Sequence, residues 1–388
     1  MSKLDDVFSS SDNELIDKFY VLEDESLKLE IFKKIKKKIS LEDIEQYIEG
    51  SELKVEIIEA LIDDIEKKPR KDFDVSPIGL PREMTIGIEI EFEGLGGFLA
   101  YEIFNIEAYS SSELLKKFQR RLDLSEQEKN EISKWEFKED GSLDMGMEIV
   151  SPILYDTKMD WENLETVCWF LQNIEGVVTE NCGGHVHIGV NILGCNDESW
   201  KNFIAIWNEA EEIIYKMSNA ENDVCRKGVL DYASISSNDI QHFIDEGSIH
   251  IANEDDLNEL AEVWPDKYLS LNLSNLGDKD KNTIEFRLSN GTIDAKTIKE
   301  NITLYGSILA LCSARGENPE YNKEKFNYFM NRKLSETEKA KAFVDLIFND
   351  EYNKQIFMSR FYSIMDAPIY EKLISETPKF EHKKGEER

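Results

Sequence analysis

Five short segments alternate apolar residues with polar or charged ones at a period of two: Gly87-Ile-Glu-Ile-Glu-Phe-Glu93, Gly146-Met-Glu-Ile-Val-Ser151, Gly183-Gly-His-Val-His-Ile-Gly189, Tyr268-Leu-Ser-Leu-Asn-Leu-Ser274 and Thr283-Ile-Glu-Phe-Arg-Leu-Ser289. Successive side chains of a strand point to opposite faces of its sheet. Each segment is therefore predicted to be a strand with an apolar back, formed by Ile88, Ile90 and Phe92, by Val186 and Ile188, by Leu269, Leu271 and Leu273, and by Ile284, Phe286 and Leu288. The front then carries Glu89, Glu91, Glu148, His185, His187, Asn272, Glu285 and Arg287. A scaffold needs only the back, so function is expected on the front.

Elsewhere the apolar period is helical. Residues 1–72 read as helices alone, with Ser11 or Asp12, Ser26, Ser40 and Ser51 as candidate caps and Gly50 placed to close a helix. A weak repeat relates Ile16-Asp-Lys-Phe19 and Leu29-Glu-Ile-Phe32 to Ile44-Glu-Gln-Tyr47 and Val55-Glu-Ile-Ile58. Two stacked helix pairs fit it. Two repeats are too few to stand alone, so the module is expected to pack on the main domain or on a protein partner. Residues 73–83 form a proline-bearing linker.

A larger domain is predicted over 84–375, followed by a charged tail at 376–388. Its expected helices lie around 112–118 and at 160–174, 198–218, about 295–311 and 335–374. Turns are expected at Gly94–Gly97 and Asp140–Ser142, and a polar, irregular segment at 219–265. Helical insertions between strands favour an α+β fold: a largely antiparallel sheet with helices on one face, preceded by a small all-α module.

Composition narrows the function classes. Of the 388 residues 41% are hydrophobic, enough for a substantial core. A formal net charge of −33 repels nucleic-acid backbone, so nucleic-acid binding is not expected. The basic run Lys33–Lys38 reads as a solvated helix face. No apolar h-region follows Met1 and no apolar stretch approaches the ~18 residues of a span, so a cytoplasmic protein without a membrane partner is the expectation. The five cysteines form no CxxC pair, which suits reduced thiols.

Glu89 and Glu91 share one side of a strand about 6.6 Å apart. Like charges so placed are unfavourable unless water or a cation separates them, and oxygen-rich pairs suit Mg²⁺ or Mn²⁺. Glu148 and Glu285, isolated on other apolar strands, strengthen that reading. His185 and His187 face one way behind two glycines. With only five histidines in the chain, the site looks carboxylate-dominated and magnesium-like rather than zinc-like. Arg287 can fork onto a carboxylate or phosphate, or pair with Glu285 two residues away. Divalent cations with an anion fork suit phosphoryl transfer, yet no Walker-type loop is present, so any nucleotide must be held by another architecture.

These motifs, in this order, resemble the amidoligase family of carboxylate–amine ligases, whose fold is that of glutamine synthetase and glutamate–cysteine ligase. The resemblance rests on Gly87–Glu93, Asp140-Gly-Ser-Leu143, Glu148-Ile-Val-Ser-Pro152, Cys182-Gly-Gly-His-Val-His187, Tyr268–Asn272 and Thr283–Thr292. It implies a funnel-like sheet binding ATP and two or three Mg²⁺ ions. ATP would phosphorylate a substrate carboxylate, and an amine would displace the phosphate to leave an amide. The substrate would be an amino acid, a peptide or a cell-wall-type fragment. The resemblance implies Glu89, Glu91, Glu148, His185 and Glu285 as metal ligands, and His187 near the transferred phosphate. It implies that Arg287 binds a carboxylate or stabilises the acyl phosphate, that Asp140 and Ser142 shape the substrate pocket, and that Asn272 lines it. Lys267 stands where an arginine is more usual, and residues 1–72 are an addition to the family core. Two other readings compete: a metal-dependent hydrolase using the HxH pair, and a non-catalytic binding protein that keeps the sheet.

Overall fold

The computed structural model describes residues 10–105, 111–219, 233–237, 240, 250–264, 267–279 and 281–365. The expected tail at 376–388 and much of the 219–265 segment lie outside the described residues. Two compact units emerge. One comprises the chain up to Asp72, Phe92–Met147 and Thr166–Val177; the other comprises Phe73–Glu91, Glu148–Glu165 and the chain from Val178.

In the first unit the helices are Asp12–Val21, Glu25–Ile35, Leu41–Gly50 and Lys54–Ile62. Ser11 starts the first, where its N–H donates to Glu14 Oε2 at 2.8 Å, and Ser40 starts the third by accepting from Asp43 N at 3.1 Å. The second is capped by Asp24 rather than by the expected Ser26, because Asp24 is extended and its carboxylate reaches Leu27 N at 3.1 Å. Ser51 ends the third helix instead of opening the fourth. The sequence repeat has a physical counterpart. Phe19 and Tyr47 occupy equivalent repeat positions and meet edge-on at 5.0 Å, while Phe32 and Ile58, also equivalent, are both fully buried.

Lys68–Arg70 tie this module to residues 166–173. Trp169 Nε1 donates to Lys68 O at 2.9 Å, Lys68 N donates to Asn173 Oδ1 at 2.5 Å, and the Arg70 guanidinium lies 4.7 Å from the Trp169 ring. Gly94–Gly97, expected as a turn, opens the helix Gly94–Asn105. Gly94 has φ +74°, which lets the chain leave its strand sharply, and a Cβ on Gly97 would sit 2.8 Å from Phe92 O. Two further helices follow, Ser111–Arg121 and Glu126–Ile132.

The second unit is built on a sheet. Its strands are β1 (Ile86–Glu93, with Ile86–Glu91 in this unit), β3 (Met147–Val150, from Glu148), β5 (Gly183–Gly189), β6 (Leu271–Asn272) and β7 (Thr283–Asn290), in the order β3-β1-β5-β7-β6. The short strands β2 (Glu136–Lys138) and β4 (Gly176–Val177) belong to the first unit. The pairs β1/β5, β5/β7 and β6/β7 are antiparallel. β6 is shorter than the Tyr268–Ser274 pattern predicts. The Asn272 side chain accepts Ser274 N at 2.9 Å and turns the chain away. The predicted apolar back is buried throughout, and the helices Asp197–Ser218 and Ala295–Glu317 pack against it. Phe286 stacks on Tyr305 at 4.4 Å and meets Trp207 at 5.5 Å. Where the structure describes it, the expected helix 335–374 is two, Glu336–Ile347 and Glu351–Met365, broken where Asp350 caps the second through Asn353 N at 2.8 Å; residues 366–374 lie outside the described residues.

The 73–83 linker is fastened along its length. Asp156 accepts Ile78 N, Gly79 N and Leu80 N at 2.8–2.9 Å, and Lys299 Nζ donates to Asp74 O at 2.5 Å and Ser76 O at 2.7 Å. No described helix is long and apolar enough to cross a membrane. Cys168, Cys182 and Cys312 are buried and Cys195 is exposed, and none of these four is in a disulfide.

Candidate active site on the sheet front

Register assembles the site. Glu89 of β1 pairs with His185 of β5, His187 of β5 with Glu285 of β7, and Glu285 with Asn272 of β6. Because all four strands alternate, these residues project to the face opposite the packed helices. One bulge interrupts the pattern. Gly184 pairs with Ser289 and Val186 with Phe286, so His185 stands against two residues of β7, Arg287 and Leu288.

The front is far drier than a solvent-facing polar edge. Glu91 is 0% exposed, His185 3% and Glu285 4%. His185 Nδ1 lies 3.0 Å from Glu89 Oε2, and its Nε2 lies 3.7 Å from Glu91 Oε1 without a hydrogen bond. His187 Nε2 lies 3.1 Å from Glu89 Oε1, close but off hydrogen-bonding geometry, while its Nδ1 is 3.3 Å from Thr283 Oγ1. Glu91 Oε2 accepts Gly183 N at 2.5 Å. Glu285 accepts Asn272 Nδ2 at 2.7 Å on one oxygen and the Arg287 guanidinium on the other.

Ligand atoms cluster in two triads that share Glu89. Glu89, His187 and Glu285 bring one atom each within 4.8 Å of one another, as do Glu89, Glu148 and His185. Glu91 and Glu148 also approach to within 4.8 Å. Counting these residues alone, the four carboxylates and the Arg287 guanidinium carry a formal −3 (−4 + 1) when both imidazoles are neutral. Burial of that much like charge is unfavourable without a cation.

Proton positions reflect the same field. Burial works to raise the Glu89 carboxyl, but contact with His185 and His187 outweighs it and holds the group well below the carboxylate range. Burial pulls the His187 imidazole down, and Glu89 and Glu285 more than reverse this, leaving it raised. Glu285 is held low because His185, His187 and Arg287 overcome its burial and the repulsion of Glu89. Donors of this kind fit hard divalent ions: carboxylate oxygens with two imidazole nitrogens turned inward. His185 Nε2 and Glu91 Oε1 face each other at 3.7 Å with no hydrogen bond between them, a gap that a cation could bridge.

The structure thus brings together Glu89, Glu91, Glu148, His185, His187, Glu285, Arg287 and Asn272. His187 shares a ligand-atom triad although the resemblance implies only His185 as a ligand. Arg287 is engaged with Glu285, one of the two uses open to it from sequence. Asp140 and Ser142 belong to the first unit, where Asp140 Oδ1 accepts Ser142 N at 2.7 Å in a tight turn. Thr283, beside His187, was not foreseen: as the first residue of its pattern it carries no distinctive signal. Glu211, 1% exposed, is a second omission, and its signal was present as a charge one turn after Trp207 on the apolar stripe of the helix 197–218.

Residues 82–309 match the family described as "putative amidoligase enzyme". The chain belongs to this family. The match takes in the five patterned strands and every residue of the site above, and leaves out the helices before residue 82 and after residue 309. For an amidoligase-family chain a ligase-type chemistry is the supported class. No curated protein and no solved structure matches the chain.

Proposed function

We propose that this amidoligase-family protein is an ATP- and Mg²⁺-dependent carboxylate–amine ligase, and that its sheet is of the glutamine synthetase type. The observation that carries the reading is the convergence of Glu89, Glu91, Glu148, Glu285, His185 and His187 on one face, with Glu91, His185 and Glu285 buried and the others half-buried. A binding protein has no use for four carboxylates held at that cost. A zinc hydrolase would draw on more histidines; among the described ones, His250 is 70% exposed beside Asp197.

In this reading Glu89, Glu91, Glu148, His185 and Glu285 hold Mg²⁺, with His187 beside them. Bound Mg²⁺ neutralises the phosphate charge that the acidic face would otherwise repel. The substrate carboxylate oxygen attacks the γ-phosphorus and ADP leaves; the amine then attacks the acyl carbon, phosphate leaves, and the amine gives up its proton. Arg287 stabilises charge on the transferred group while Asn272 fixes Glu285. His187, raised toward its charged form, is placed to donate a hydrogen bond to that group.

The test is ATP-to-ADP turnover with Mg²⁺ against a pool of amino acids, amines and short peptides, alongside the Glu89→Gln/Glu91→Gln double variant. ADP release that an amine stimulates and the double variant loses is the expected result. Absence of nucleotide binding by calorimetry with Mg²⁺ present would overturn the reading.

A further inference from the structure

Glu211 lies in the helix Asp197–Ser218 with its carboxylate buried, and it is a member of none of the ligand-atom groups of the site. It gathers four donors from two other segments. Oε1 accepts Ser236 N and Ser236 Oγ, both at 2.7 Å, and the Ser270 hydroxyl; Oε2 accepts Ser237 N at 2.7 Å. Trp207, one helical turn earlier, donates Nε1 to Ser236 Oγ at 2.9 Å. A lone charge in an apolar helix face is costly, and this one is retained with its acceptor capacity filled.

Ser270 is where the network meets the site. Its hydroxyl is on Glu211, its N–H donates to Ser234 O at 2.7 Å, and its carbonyl accepts Arg287 N at 2.9 Å. Two residues on, Asn272 holds Glu285. Leu269 bridges Ser234 in parallel, and Tyr268 O accepts Ser234 N at 2.9 Å. The two-residue β6 has few ladder bonds of its own, so this clamp does much of the work of fixing it.

We propose that Glu211 is a positioning residue for Arg287 and Asn272. Through Ser270 it sets the backbone of Arg287 beside the β7 bulge, and the register that puts Asn272 on Glu285. Its consequence for nucleotide affinity rests on the ligase reading above; its consequence for the backbone does not.

The full-length protein with Glu211→Gln, Ser270→Ala and Arg287→Ala, singly and combined, tests this. Ser270→Ala removes one donor and leaves Glu211 three, so it is the variant to use if Glu211→Gln does not fold. Mg·ATP affinity should fall about tenfold in either variant, with no further loss when Arg287→Ala is already present. Affinity for Mn²⁺ alone should fall by less than the Mg·ATP affinity does, because among its ligands only Glu285 is reached through this network. Amide exchange at Ser270 and Arg287 should quicken about tenfold while that at His185 and His187 does not. Additive losses with Arg287→Ala, unchanged Mg·ATP affinity, or exchange raised equally across the sheet would each overturn the proposal. If the unmodified protein binds no Mg·ATP, the ligase reading fails and amide exchange alone decides the role of Glu211.

Discussion

Glu89 of β1 and His185 of β5 stand directly opposite each other, with the carboxylate 3.0 Å from the imidazole Nδ1. The other Glu89 oxygen lies 3.1 Å from His187 Nε2, so one carboxylate spans both histidines and belongs to both ligand-atom triads. Glu89→Gln keeps the shape and removes the charge that the two triads share. Loss even of a residue that only supports a metal ligand costs about 10–100-fold in affinity, so this variant should lose more than about 100-fold. Free Mn²⁺ monitored by paramagnetic resonance measures it. Near-normal Mn²⁺ binding by Glu89→Gln would remove the shared-ligand role.

The same contacts set a pH dependence in the ion-free protein. Burial raises the Glu89 carboxyl and the two histidines pull it well below its ordinary 4.5; burial lowers the His187 imidazole and Glu89 pulls it above its ordinary 6.5. A depressed carboxyl stabilises the fold above its unfolded pKa, and that contribution is lost as pH falls through the folded value. A raised imidazole stabilises below its unfolded pKa, and that contribution is lost as pH rises through the folded value. These two groups therefore favour the fold most between about pH 4.5 and 6.5. Divalent ions need neutral imidazole, so their binding should strengthen above that window. Melting temperatures from pH 4 to 9 in chelator should show a decline on the alkaline side that flattens in His187→Gln. An identical alkaline decline in that variant counts against the assignment.

The front of the sheet was legible in the sequence because strand alternation is local: Glu89, His185, His187 and Glu285 needed only a period of two and an apolar back. The α+β class followed from helices inserted between the strands. Three features were not legible. The bulge opposite His185 depends on how β5 and β7 pair, which no single segment encodes. The helix cap at Asp24 rather than Ser26 is a choice between adjacent good cappers. Glu211 serves segments 25 and 59 residues away, contacts that only the folded chain creates.

Behind the sheet, Tyr305 is fully buried, and burial pushes its phenol up to about 12 against the pull of its partners. Its hydroxyl lies 2.6 Å from Ser289 Oγ on β7 and 2.9 Å from Ser218 Oγ at the end of the helix 197–218. Tyr305→Phe keeps the ring stack on Phe286 and removes both bonds. Leaving buried hydroxyls short of a partner should cost about 1–3 kcal/mol, read by denaturant unfolding. A variant as stable as the parent would mean that the bonds the serines keep, Ser218 Oγ to Ile214 O at 2.7 Å and Asn301 Nδ2 to Ser289 Oγ at 3.1 Å, suffice without the phenol.

Asp156 supports the irregular stretch that leads into β1. Its two oxygens receive Ile78 N, Gly79 N and Leu80 N at 2.8–2.9 Å, and Trp161 Nε1 at 2.9 Å. Three successive backbone N–H groups on one carboxylate form an anion cradle, and here the anion is the protein's own. Gly79, at φ +90°, gives the backbone the left-handed step that aims those donors together. Bonds to a charged group contribute about 1.5–3 kcal/mol each but are not additive within one cradle. Asp156→Ala should therefore destabilise by roughly 2–4 kcal/mol, and Asp156→Asn, which keeps one acceptor oxygen, by less. Gly79→Ala should act in the same direction by about 1 kcal/mol through its backbone alone. Chemical denaturation gives the totals, and amide exchange at residues 78–80 assigns them to the cradle. Equal stability of Asp156→Ala and the parent, or protection of those amides retained without the carboxylate, would show that the approach to β1 is held by something else.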